Sequence, residues 1–155
     1  MLTYLVGKTK SYVFVVRRDR AQSRKIDLGV KELDEAVATL RQGLDPSDVG
    51  SLEDIPPFNT ARAFELYEKL FKPVEAMLEG VKHPIVVPDG ALQSLPLGVL
   101  VTEEGRGRSK DLADYRQTAW LIKKYAMTTL PSVSSLRALR RFAKASRAGK
   151  AFLGI

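Results

Sequence analysis

The chain has 155 residues, 45% hydrophobic and 28% charged, with one histidine, no cysteine and a net charge of +7. This length suits one domain with an interior of its own, and the composition is that of an ordinary soluble globular protein. Disulfides, thiolate metal sites and a cysteine nucleophile within these residues are excluded, and no apolar run approaches the roughly 20 residues of a membrane-spanning helix. The opening MLTYLVGKTK has neither the charged start nor the small-residue cleavage site of an export signal, so a cytoplasmic location is expected. Charge is unevenly spread. Residues 1–80 carry 12 Lys and Arg against 13 Asp and Glu, whereas residues 81–155 carry 13 against 5. The basic excess therefore lies in the second half, which suits an acidic partner without naming one.

Residues 2–28 read as an antiparallel meander. Leu2, Tyr4 and Val6 alternate with other residues, Tyr12–Val16 is a β-branched and aromatic run, and Lys25–Leu28 is a third strand candidate. Arg17, Arg18, Asp19, Arg20 and Arg24 gather at the second turn; a basic loop of this kind can hold phosphate, and a solvated turn is the simpler reading. Gly29 closes the unit, and Val30–Leu44 follows as a helix with Leu33, Val37 and Leu40 on one side. Glu32 and Glu35 stand early in it and Arg41 late, as the helix dipole prefers. Asp45-Pro46 stops it, and residues 45–59 form a proline-rich, acidic connection.

The next helix has the clearest period. Asn59 or Thr60 can cap it, and Phe64, Tyr67, Phe71, Val74 and Leu78 recur at spacings of three and four. Pro73 lacks the amide that would bond the carbonyl of Lys69, so it either kinks the helix or starts a second one in line. Gly80 closes the element. Two apolar segments, Pro84–Val87 and Leu95–Val101, then flank Pro88-Asp89-Gly90, a turn signal that predicts a central hairpin. The second segment, being almost wholly apolar, is expected to be buried on both faces.

Thr102–Asp114 is a loop rich in Gly and charge that matches neither phosphate-binding fingerprint. Tyr115–Lys124 reads as a helix, Tyr125–Leu130 as a short strand, and Pro131-Ser132 opens a last helix running to about Ala145. On that helix Leu136, Leu139, Phe142 and Ala143 share one side, and Arg137, Arg140, Arg141, Lys144 and Arg147 share the other. The basic side is a solvated face in the simplest reading, or a docking surface for an acidic protein or, less favoured, for nucleic acid; the lack of interleaved aromatics counts against single-stranded nucleic acid. KAFLGI at 150–155 reads as an apolar strand with no turn or charge to finish it, so the chain reads as cut short, and such a strand is expected to pair centrally or to drive dimerisation through its exposed edge.

No reactive constellation stands out. His83 has no metal-ligand spacing around it. A triad of Ser94, His83 and Asp89 lacks the nucleophile elbow and would be cramped within one hairpin. No cofactor is implied.

Taken together, LYEKLFKPVEAMLE (66–79), HPIVVPDGALQSLPLGVLV (83–101), WLIKKYAMTTLPSVSSLRALRR (120–141) and KAFLGI (150–155) resemble the CHAT domain, in that order and at its spacing. The resemblance covers residues 60–155, with 1–58 as a more variable lead-in of meander and helix. It implies an α/β fold, a mixed β-sheet with packed helices, forming the N-terminal subdomain of a caspase-like cysteine peptidase, often found after tetratricopeptide repeats in bacterial proteins. The family's catalytic dyad is a His in a His-Gly motif and a Cys, both implied to lie downstream of Ile155. His83 is not in that motif, so no catalytic, cofactor or metal residue carries over. The implied role is structural support of the catalytic half, which would be the principal partner. The rival reading is a module binding protein or nucleic acid through the basic face of the last helix.

Overall fold

A computed structural model describes residues 1–45, 50–51, 54–104 and 112–142. The sheet begins with β1 (Leu2–Val6), β2 (Ser11–Val16) and β3 (Ala21–Ile26), which pair antiparallel in sequence order. In β2 buried and exposed residues alternate strictly, so one side of the meander is core and the other is not. Ser11, on the core side, is buried and donates its hydroxyl to the carbonyl of Leu28 at 2.7 Å. The third strand thus lies earlier than its sequence suggested, because β3 takes its register from β2, Ser11 opposite Ile26, rather than from its own polar side chains.

Helix α1 (Val30–Arg41) starts where Glu32 accepts from the amide of Gly29 at 2.8 Å, and it buries Leu33, Ala36, Val37 and Leu40. Helix α2 (Thr60–Leu70) is capped by Asn59, whose side-chain oxygen accepts from the amide of Arg62 at 3.0 Å, and it buries Ala63, Leu66, Tyr67 and Leu70. Pro73 does not kink α2. The α-helix ends at Leu70, and a tighter 3-10 segment, Lys72–Leu78, takes over with the proline in its first turn, where a missing amide costs nothing. Gly80, at φ +73°, then reverses the chain in the left-handed region.

These two helices form the crossover to β4 (Ile85–Val87), which runs parallel to β1. A second crossover leads to β5 (Thr128–Thr129), parallel to β4, so the order is β3-β2-β1-β4-β5. The fold is the mixed α/β sheet with packed helices that the sequence implied. Its core joins Leu2, Tyr4, Val13, Val15 and Val86 from the sheet to the inner sides of α1 and α2.

Two expectations are corrected, and the last helix differs in burial from α1 and α2. The central stretch is not a hairpin: with β1 on one side of β4 and β5 on the other, no place is left for Leu95–Val101 to pair with β4. Instead a 3-10 turn at Gly90–Ser94 follows β4 and a second at Leu97–Val99 follows Pro96, together burying Leu92, Leu95, Leu97 and Leu100. Tyr115–Lys124 is not one helix. It divides into α3 (Leu112–Gln117) and α4 (Leu121–Lys124), because the Ala119 carbonyl turns out to accept from the Thr102 amide and Trp120 bridges Val101. The last helix, α5 (Val133–Phe142), buries no residue at all, so its apolar side is not a core stripe: Leu139 and Phe142 are exposed. Ala143, Lys144, Arg147 and the expected strand at 150–155 lie outside the described residues. No described helix is long and apolar enough to cross a membrane.

Candidate functional site

Among the described residues, a well-connected polar cluster lies where α2, the 3-10 segment after it and α4 meet. Tyr67 is fully buried on α2, placed by the apolar period that makes the helix amphipathic. Its hydroxyl donates to Glu75 Oε1 at 2.8 Å. Lys124, from α4, also donates to Oε1, and Lys72 reaches Oε2 at 3.1 Å. Two cations and a phenol thus surround one carboxylate. The Lys124 ammonium first, with help from the Tyr67 hydroxyl and Lys72, holds the Glu75 carboxyl down to about 2, against the cost of partial burial. The Tyr67 phenol is pushed upward by burial and by the neighbouring carboxylate. Lys124 is raised in turn by the same carboxylate, and it also lies 5.6 Å from the centroid of the Tyr125 ring.

Chemically this cluster is a lock. A carboxylate held so far down is a poor general base at neutral pH, and a phenol held up is a poor acid. What it does is tie residue 75, after the helix break, to residue 124, across the second crossover. The spacing of Tyr67, Pro73 and Glu75 in LYEKLFKPVEAMLE therefore has a physical reason: the 3-10 segment that opens around Pro73 brings Glu75 back onto the tyrosine eight residues earlier. Lys124 could not have been assigned to Glu75 from sequence, since 49 residues separate them.

The three residues considered for a triad have unrelated surroundings. Asp89 Oδ2 accepts from the Val6 amide at 2.8 Å, tying the end of β1 to the turn after β4. Gly90 follows at φ +56°, with its α-carbon side against Val6, so the Pro-Asp-Gly signal serves a long-range contact rather than a hairpin. Ser94 donates to the carbonyl of Ala91 at 2.9 Å. His83 is exposed before β4. No triad is assembled.

Of the basic residues singled out on the last helix, Arg137, Arg140 and Arg141 are all exposed on α5, and the helix carries no acidic residue. Arg141 lies 5.6 Å from the centroid of the Phe142 ring. Arg140 stands near the Met1 amino group, which burial, Arg17 and Arg140 together hold below its ordinary pKa. Among the described residues no group of histidine, aspartate and glutamate could hold a metal ion.

A family model described as the CHAT domain matches residues 60–155, from the start of α2 onward. No match was found among curated proteins or among solved structures.

Proposed function

The chain belongs to the CHAT domain family, and from that premise we propose that it is the non-catalytic N-terminal part of a caspase-like cysteine peptidase. The observation that carries the reading is the family match over 60–155 in a chain without cysteine. Catalysis of this class needs a thiolate beside an imidazole, and neither the nucleophile nor a His-Gly motif is present. The mixed sheet with its locked crossovers supports a scaffold role: it would brace the catalytic half and help shape the substrate cleft. The dyad would come from sequence following Ile155.

Reading the gene beyond the codon for Ile155 tests this directly. A His-Gly after one strand-like run and a Cys after the next, in frame, are expected. The 155-residue chain itself should leave fluorogenic peptides with basic or acidic residues before the scissile bond uncut, while the longer chain cleaves one of them and loses that activity on Cys→Ala substitution. Turnover by residues 1–155 at constant specific activity through purification, or a stop codon after Ile155, overturns the proposal.

The second reading, recruitment of a partner through α5, is favoured by one observation, the exposure of Arg137, Arg140 and Arg141 on a helix with no buried residue. Titration with duplex and single-stranded oligonucleotides at two salt concentrations separates its nucleic-acid form from its protein form.

A further inference from the structure

The meander has two sides, and only one is core. On the other, Tyr12, Phe14 and Val16 of β2 point the same way at a spacing of two, with Leu5 directly opposite Tyr12 on β1. Their exposures are 40% for Tyr12, 38% for Phe14, 42% for Val16 and 54% for Leu5. Across the other ladder stand Lys25, Ser23 and Ala21, opposite Tyr12, Phe14 and Val16 in turn. The last two are too small to cover the aromatic rings. Four large apolar side chains thus form one continuous open patch, of the kind that marks an interaction surface.

The border of the patch is cationic. Arg18 and Arg20 are exposed at the β2–β3 turn beside Val16. The Met1 amino group bonds the Val16 carbonyl at 2.8 Å. Lys25 stands at the opposite end, with Lys10 close by. Two acids share this border. Asp27 is taken up by Lys10 and Lys25, at 3.8 and 3.4 Å, and Asp19 lies between Arg18 and Arg20.

From this juxtaposition we propose that the open face of the β1–β2–β3 meander docks an amphipathic helix of another protein, apolar on the side it buries and acidic along its flanks. The dimensions fit one helix. Three strands about 4.8 Å apart span about 10 Å, the width of a helix, and strands of this length run about 17–20 Å, or roughly three helical turns. A helix laid on an uncovered sheet face also completes the layered arrangement that α/β domains adopt. A second copy of this chain is disfavoured, since each copy carries +7 and would set one cationic border against another. Nucleic acid is disfavoured because aliphatic Leu5 and Val16 flank the aromatic pair where a bound strand would need stacking partners or cations. The proposal does not require the peptidase reading, but a longer chain whose sequence after Ile155 covers this face, read as loss of peptide binding on extending the chain, would overturn it.

The test uses the 155-residue chain and a fluorescein-labelled, helix-stapled peptide of about 12 residues, with Leu on one side and Glu on both flanks; stapling removes the ordering cost of so short a helix. Binding is read by anisotropy. The amphipathic acidic peptide should bind saturably, at least tenfold more weakly to Tyr12→Ser and Phe14→Ser, and severalfold more weakly to Arg18→Glu. All these positions are exposed, so thermal melts of the variants should match the parent, confirming that each folds. Equal binding of a shuffled peptide with no apolar side would reduce the effect to ion exchange and overturn the proposal. So would tighter binding of a single-stranded oligonucleotide, no binding at all, or a dimer in sedimentation that Phe14→Ser disperses.

Discussion

Replacing Glu75 by Gln keeps the side-chain shape and removes the charge on which Tyr67, Lys124 and Lys72 converge. A carboxyl moved from 4.5 to about 2 has an upper bound near 3.4 kcal/mol of stabilisation at about 1.36 kcal/mol per unit. The carboxylate is 26% exposed and its lysine partners are more so, which lowers the worth of those ion pairs toward ~1 kcal/mol. The hydrogen bond from the buried Tyr67 to a charged acceptor adds about 1 kcal/mol. About 1–2 kcal/mol in all is therefore expected at pH 7. Because the folded pKa is depressed, this stabilisation is fully present above 4.5 and is lost as pH falls from 4.5 towards 2. Urea unfolding of the parent and Glu75→Gln at pH 7, 5.5, 4 and 2.5 reads it out. The gap between the two should be constant down to about pH 5.5 and nearly closed at the lowest pH. A gap that is independent of pH, or absent at neutral pH, refutes the account of the cluster as a charge-based lock.

Gly80→Ala should cost about 1 kcal/mol through its left-handed backbone alone, since no atom lies within 4 Å of where the methyl group would sit; Gly80→Asn should cost less, and thermal melts compare the two. Asn59→Ala should lose about 1 kcal/mol by freeing the Arg62 amide, with Asn59→Asp retaining the cap, measured by the same melts. Leu121→Ala, at a fully buried position, should cost about 2–5 kcal/mol, whereas Leu139→Ala on exposed α5 should stay within about 0.5 kcal/mol; comparable losses at both would contradict the burial described for α5.

The local elements were legible wherever one face of an element meets the core. Helix α1 begins at Val30 as its period indicates, Asn59 is the cap of α2, and Gly80 closes the following segment, because caps and apolar stripes act over a few residues. The motifs that resemble the CHAT domain rest on the same kind of signal, and they point to the family now matched over 60–155. The apolar run at Leu95–Val101 is buried as expected, yet its shape was not in the run itself. A strand needs an open ladder, and β1 and β5 already occupy both sides of β4. The wheel of α5 marks an apolar side correctly but does not say whether another layer covers it; tertiary packing leaves Leu139 and Phe142 in solvent. Pairing across 49 residues likewise had no local signature, so Lys124 meets Glu75 only once the second crossover has folded. The sequence by itself determined the cap of α2, the glycine that ends the segment after it, the inward faces of β2, α1 and α2, and which family the chain resembles. Only the tertiary structure decided which strands are neighbours, which charges meet and which apolar face of the meander stays open, because each depends on what lies on the other side of the contact.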